Sequence, residues 1–321
     1  MNQPPGTTDQ QTPAFGTEDA PVYGTPTPVS DRVRRVLCPN PGPFTYTGTG
    51  TFLVDGGASA DGTRRGDVAV IDPGPRNKPH LDALIAAIGA QKVSAILVTH
   101  THLDHSPLAR PLAEATGAPI HAFGPHGAGQ EETALTGESV EEGADKAFAP
   151  DHAMADGETV SGTGWTLTAL HTPGHTSNHL CFLLTEENLV FTGDHVMGWA
   201  TTVIVPPDGD MTAYMASLRR LRALAPDKLV PTHGPAIDRP DRFLNAILGH
   251  RRQRERQILH HLEAGKSRIA DMVAAMYTHV DPALHPAAAR SVLAHLVALV
   301  KAGRVVADPA PTLDAHYRPA A

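Results

Sequence analysis

From about residue 31 the chain alternates short apolar runs with helical spacings. RVRRVLC (32–38), FTYTGTG (44–50), TFLVDG (51–56) and DVAVID (67–72) read as successive strands broken by Pro and Gly. HLDALIAAIGA (80–90) places Leu81, Leu84, Ile85 and Ile88 on one helical face and stops near Gly89. VSAILVT (93–99) has the continuous apolar character of a buried strand, and SPLARPLAEATG (106–117) reads as a helix from Ser106 to Gly117. Further strands are expected at APIHAF (118–123), GWTLTALHT (164–172), HLCFLLT (179–185), NLVFTG (188–193) and KLVPT (228–232), with a helix at 211–225. Strands alternating with helices, without a fixed-period repeat, make this an α/β fold.

Two segments break that rhythm. Residues 1–30 hold six Pro, six Thr and three Gly with no Lys or Arg, a composition that predicts a disordered tail rather than a secretory or mitochondrial address. The stretch from Glu131 to Asp145 carries six acids and no Lys or Arg, and reads as a solvated surface excursion. The final third then changes character. Residues 239–304 hold 11 Lys and Arg against 5 acids in a chain whose net charge is −8, and predict helices at 241–264, 267–277 and 284–302 followed by RVVAD (304–308). Three helices and a small β-element have the order of a winged helix, with a compact helical cap as the alternative from pattern alone. The expected domains are thus a tail at 1–30, an α/β domain at 31–238, a winged-helix-like domain at 239–308 and a second tail at 309–321.

Composition narrows the function. Hydrophobic residues at 41% support a sizeable core, and no run approaches the ~18 apolar residues of a membrane helix. Cys38 and Cys181 stand 143 positions apart, in no disulfide or metal spacing, which suits a reducing cytoplasm. Cys181 falls in an apolar strand and reads as core. Histidine is in excess, at 19 residues, and it clusters.

VTHTHLDHS (98–106) puts His100, His102, Asp104 and His105 at the end of an expected strand. Residues two apart project to one side of extended backbone, so His100 and His102 can grip one ion together. Asp104 and His105 fall where the chain turns into the next helix, and four ligands in six residues fit two adjacent metals more easily than one. His175 follows the Pro173-Gly174 turn, Asp194 follows the strand ending FTG, and His233 follows the strand ending PT. Each lies just past a strand, where a loop presents side chains at a sheet rim. Five imidazoles and two carboxylates form a nitrogen and oxygen set suited to zinc, with iron or manganese as alternatives. A carboxylate bridges two cations readily and an imidazole nitrogen does not, which makes Asp194 the natural bridge. His171, His179 and His195 flank these motifs and read as structural histidines.

The series VTHTHLDHS, TPGHTSNH, TGDH and PTHGP, with an upstream strand ending IDPG (71–74), resembles the metallo-β-lactamase superfamily over residues 31–238. The resemblance implies an αββα sandwich with metals along one edge of its two sheets. It implies that His100, His102 and His175 hold one ion, that Asp104, His105 and His233 hold another, and that Asp194 bridges them. Asp72 matches a residue that supports the site from outside the ligand set. HVMGWATTVIVPPDGDMTAYMASLRRL (195–221), PTHGP and HRRQRERQI (250–258) are similar to the subgroup of β-lactamase-like protein 2 hydrolases, which carry a winged helix. Two departures matter: Ser106-Pro107 stands where glyoxalase II relatives have a Gly-Gly pair, and Met197 stands where quorum-signal lactonases have Tyr.

The expected enzyme is a binuclear, zinc-dependent hydrolase. It would use a metal-bridging hydroxide, oriented by Asp104, to cleave an ester, thioester or lactone of a small molecule. The alternative is a single-stranded RNA endoribonuclease using the same metals. In the first case residues 239–304 cap the site and favour an anionic substrate; in the second, Arg251, Arg252, Arg254 and Arg256 contact phosphates. Oligomeric state is not legible.

Overall fold

The structure, a computed structural model, describes residues 13–18, 20–130, 143–278, 281 and 285–320. Its first sheet runs in spatial order through β1 (Thr27–Pro28), β2 (Val33–Leu37), β3 (Gly50–Val54), β4 (Val68–Ile71), β5 (Val93–Leu97), β6 (Ile120–Ala122) and β7 (His152–Ala153). Pairing is antiparallel as far as β4 and parallel from β4 to β7. The parallel step from β4 to β5 needs a crossover, supplied by α1 (Lys78–Ile88), and α2 (Ala109–Thr116) supplies the next. Asn77 starts α1 by accepting the His80 N–H at 3.0 Å, and Gly89 ends it with a positive φ.

The second sheet follows from β8 (Thr159–Gly162), β9 (Trp165–His171), β10 (Leu180–Leu184), β11 (Leu189–Gly193) and β12 (Lys228–Pro231), in spatial order β12-β11-β10-β9-β8. It is antiparallel except between β11 and β12, where α3 (Met211–Ala223) forms the crossover. Strand alternation sorts the side chains into layers. Phe52, Ile71, Leu97, Trp165, Phe182 and Phe191 fill the space between the sheets. Leu53, Val70 and Ile96 face outward under Leu84 and Leu112 of the first two helices. On the other outer face Cys181, Val190 and Leu229 lie under Tyr214, Leu218 and Leu221 of α3. This is the αββα sandwich.

The C-terminal part comprises α4 (Pro240–Glu263), α5 (Ile269–Met276), α6 (His285–Lys301), β13 (Val305–Asp308) and β14 (His316–Pro319). Here the geometry departs from the expected boundaries. α4 is a continuous helix of 24 residues. Its first half buries Phe243, Leu244 and Ile247 against the second sheet, and its second half buries Ile258 and Leu262 in the C-terminal core. The two cores therefore divide within a helix and not at residue 238. The expected second tail is also folded: β14 pairs antiparallel with β13, and Tyr317 is buried.

The first tail needs the same correction from Pro13 onward; residues 1–12 lie outside the described ones. Phe15 packs edge-on against Phe243, and Gly16 N–H donates to the Gly198 carbonyl at 3.0 Å. Glu18 pairs with Arg35 at 2.6 Å, and Thr27 and Pro28 form β1. A few well-placed contacts order a segment whose composition alone would leave it loose. FTYTGTG, expected as a strand, is instead a turn in which Tyr46 has φ of 55°, and only Gly50 joins β3. Most of the acidic excursion, residues 131–142, lies outside the described residues.

Candidate metal centre

Five loops carry the chemistry, and they leave the sheets on the same side. Asp72 follows β4, His100 follows β5, Asp194 follows β11 and His233 follows β12, each pair of strands being parallel. His175 follows β9, which runs with β11 because both are antiparallel to β10. All therefore emerge past C-terminal strand ends. Leu180 N–H donates to the Thr99 carbonyl at 2.7 Å and ties the two sheets together beside the site.

The seven expected ligands fall into two groups. His100 Nε2, His102 Nδ1 and His175 Nε2 converge, with the His102 nitrogen 2.9 Å and 3.0 Å from the other two. Asp104, His105, Asp194 and His233 form the second group. There, His233 Nε2 lies 3.1 Å from Asp104 Oδ2 and 3.4 Å from Asp194 Oδ1, and His105 Nε2 lies 3.5 Å from Asp194 Oδ1. The other oxygen of Asp194, Oδ2, is 3.8 Å from His175 Nε2. One carboxylate thus faces both groups.

Protein acceptors fix how most of these rings present their nitrogens. His105 Nδ1–H donates to Asp72 Oδ2 at 2.8 Å, His175 Nδ1–H to the Val203 carbonyl at 2.7 Å, and His233 Nδ1–H to the Gly48 carbonyl at 3.1 Å. The Thr99 hydroxyl donates to Asp72 Oδ2, so its lone pair accepts His100 Nδ1–H at 3.0 Å. Each of these four rings then aims an Nε2 lone pair at the site, as metal-binding histidines do. In neutral form the first group has at most one proton, on His102 Nδ1, to share among three convergent nitrogens. In the second group the buried atoms His105 Nε2 and Asp194 Oδ1 make no hydrogen bond. Close-packed lone pairs with too few protons are an arrangement that cations complete, so the residues fit bound metal.

Electrostatics agree. Burial, reinforced by the neighbouring histidines, pushes His100 well below the usual imidazole range. Burial would also raise the acids, but His105 and His233 beside Asp104 hold it well below the carboxylate range, and the same two rings hold Asp194 at about 2. Conversely His105 is raised against its burial by Asp104, Asp194 and Asp72, and His233 by Asp194 and Asp104.

Asp72 organises this from behind. Its Oδ1 accepts Thr99 N–H at 2.8 Å, and its Oδ2 accepts the Thr99 and Thr232 hydroxyls as well as His105. Thr99, Thr232, Val203 and Gly48 were not singled out in the sequence. The two threonines adjoin His100 and His233, which was the available signal; the two carbonyls carried none. His171, His179 and His195 stay outside both groups. His179 accepts or donates at Thr172 and underlies Gly193, His195 packs on Tyr214, and His171 stacks on Phe123. The four arginines offered as phosphate contacts do not share one surface: Arg251 is buried and Arg254 lies over the Tyr277 ring, leaving Arg252 and Arg256 exposed.

Residues 45–233 match the model of the metallo-beta-lactamase superfamily, and residues 269–310 match the beta-lactamase associated winged helix domain. The chain belongs to the metallo-β-lactamase superfamily. Among its relatives in that superfamily, a "Beta-lactamase-like protein 2 homolog" of Drosophila melanogaster is 30% identical over 87% of this chain and 91% of its own length. An "Atrochrysone carboxyl ACP thioesterase" of Aspergillus fumigatus is 33% identical over 72% of this chain, which spans 65% of that protein. A β-lactamase domain protein of Burkholderia ambifaria shares the fold, with TM-score 0.74 at 20% identity over 94% of this chain and 96% of that one. The protein is accordingly a superfamily hydrolase with a metal-binding cluster and a C-terminal winged helix. Among the described residues no helix is long and apolar enough to cross a membrane.

Proposed function

We propose that this protein is a binuclear-metal-dependent hydrolase of a small-molecule ester, thioester or lactone, with an acyl thioester as the favoured substrate class. The observation that carries the reading is the pair of adjoining ligand groups with Asp194 facing both. His100, His102 and His175 would hold one ion, and Asp104, His105 and His233 the other, most naturally zinc given the nitrogen and oxygen donors. When bound, such a pair supplies Lewis acidity toward a carbonyl and acidifies water. The chain's own residues do the rest. Asp104, whose side chain is 25% exposed against 10% for Asp194, is the carboxylate best placed to hold and orient the attacking water's proton. Asp72 keeps His105 in register, and Val203 and Gly48 keep His175 and His233 facing inward. The thioesterase relative supports the choice of bond, and the net positive charge of residues 239–304 supports an anionic substrate. Two buried free cysteines suit a cytoplasmic setting.

The test is direct. Elemental analysis after gentle purification should give two zinc ions per chain, and a stoichiometry saturating at one would end the binuclear reading. A panel of acyl thioester, lactone, β-lactam and single-stranded RNA on metal-loaded protein should show thioester or lactone turnover that His102→Ala abolishes. RNA cleavage that shares this dependence and weakens steeply with salt would replace the small-molecule reading.

A further inference from the structure

Arg251 lies in the middle of α4 and belongs to neither ligand group, yet it is 3% exposed. It makes no ion pair among the described residues. Its guanidinium instead rests over the Tyr214 ring, 5.3 Å from the centroid, and Nη2 donates to the Thr202 carbonyl. Thr202 begins a connection to both ligand groups. Its hydroxyl donates to the backbone carbonyls of Asp194 at 2.8 Å and His195 at 3.0 Å. The next carbonyl, that of Val203, accepts His175 Nδ1–H. Residues 201–205 have no regular secondary structure, so no sheet ladder or helix fixes where those carbonyls point. A buried donor from a neighbouring helix can fix them.

We propose that Arg251 is a positioning residue for the metal centre: by holding the Thr202 carbonyl it fixes the coil that orients His175 and Asp194, so that a helix shared with the C-terminal domain sets the metal affinity of the catalytic domain. This rests on the reading of His175 and Asp194 as ligands. Groups that orient metal ligands from outside the coordination sphere typically change affinity by about 10- to 100-fold, and Arg251 acts through one intervening residue, which puts it at the lower end.

The experiment uses the full-length chain and zinc as the probe, with affinity from chelator competition, the melting temperature of metal-free protein, and the visible spectrum of the cobalt(II) form. Arg251→Met keeps the apolar stem packing and removes the donor. It should weaken zinc binding about tenfold and shift the cobalt bands, while Arg251→Lys, which keeps a charged donor, recovers part of the affinity. Arg254→Gln is the structural control. It loses its place over Tyr277 in the C-terminal core and should lower the melting temperature without altering zinc affinity or the cobalt bands. If Arg251→Met does not fold, Thr202→Val, which preserves shape but removes the hydroxyl on Asp194, decides the matter. Zinc affinity within twofold of the parent and an unchanged cobalt spectrum, in whichever of these two variants folds, overturn the proposal. A parent chain that binds no zinc overturns the metal reading itself, a separate failure visible before any variant is made.

Discussion

Asp72 sits with φ of 50° and takes four hydrogen bonds on two buried oxygens, from Thr99 N–H, the Thr99 and Thr232 hydroxyls, and His105. Left-handed backbone suits Asp and Asn alike, so Asp72→Asn changes the charge without changing the backbone preference. The amide would turn a donor toward groups that are all donors. Zinc affinity measured by chelator competition should fall about 10- to 100-fold, and unchanged affinity would remove Asp72 from the support of the site. Asp104 makes a different prediction because it opens to solvent. Asp104→Asn should lower kcat by about 100-fold or more with a much smaller effect on KM, since it removes the group that orients the attacking water. Circular dichroism matching the parent would show that the loss is not one of folding, and near-parental turnover would show that the role assigned to Asp104 is wrong.

At the scale of elements, the N-terminal segment is the unexpected contributor. Phe15 on Phe243 and Glu18 on Arg35 join it to the catalytic domain, and Glu18 also accepts from the Thr47 hydroxyl at 2.8 Å in the turn that leads to Gly48. Removing residues 1–18 exposes part of an aromatic contact and leaves Arg35 without its carboxylate. Urea denaturation should show a loss of about 1–2 kcal/mol for the truncated protein, and about 1 kcal/mol or less for Glu18→Ala. No loss in the truncated form would return the segment to the status of a tail. α4 lies within a residue of its expected bounds, and what pattern alone missed is that it serves two cores. Its helical spacing was evident, but one apolar face that serves two cores in succession looks, in sequence, like one that serves a single core.

For the molecule as a whole, buried neutral histidines link stability to pH. Burial lowers His80 to about 4; burial, followed by nearby Arg251, His250 and Arg254, lowers His295 to about 3. Both sit below the unfolded value of about 6.5, so between the two values the unfolded chain binds a proton that the folded chain refuses. Their effect is to make stability fall as pH drops below about 6.5, by up to about 1.4 kcal/mol per pH unit for each ring. Metal-free His295→Leu should therefore lose stability less steeply between pH 6 and 4 than the parent, by close to one proton's worth of slope in denaturant titrations. Equal slopes would mean that His295 is protonated in the folded protein.

Local chemistry and periodicity determined a great deal by themselves. Short-range spacing in VTHTHLDHS, Pro-Gly before His175 and a strand before each of Asp194 and His233 were enough to indicate the seven candidate ligands, because each loop announces itself by its neighbours in the chain. The alternation of apolar residues likewise defined most strands of both sheets. Only tertiary structure decided the rest, since those facts join residues far apart. The Gly48 carbonyl meets His233 across the two sheets, Val203 meets His175, and Arg251 meets Thr202 across the junction with α4. A carbonyl is the same in every residue and has no signature in sequence. An arginine among four in a helix carries no mark of burial, and only packing shows that Arg251 is buried and donates to the Thr202 carbonyl.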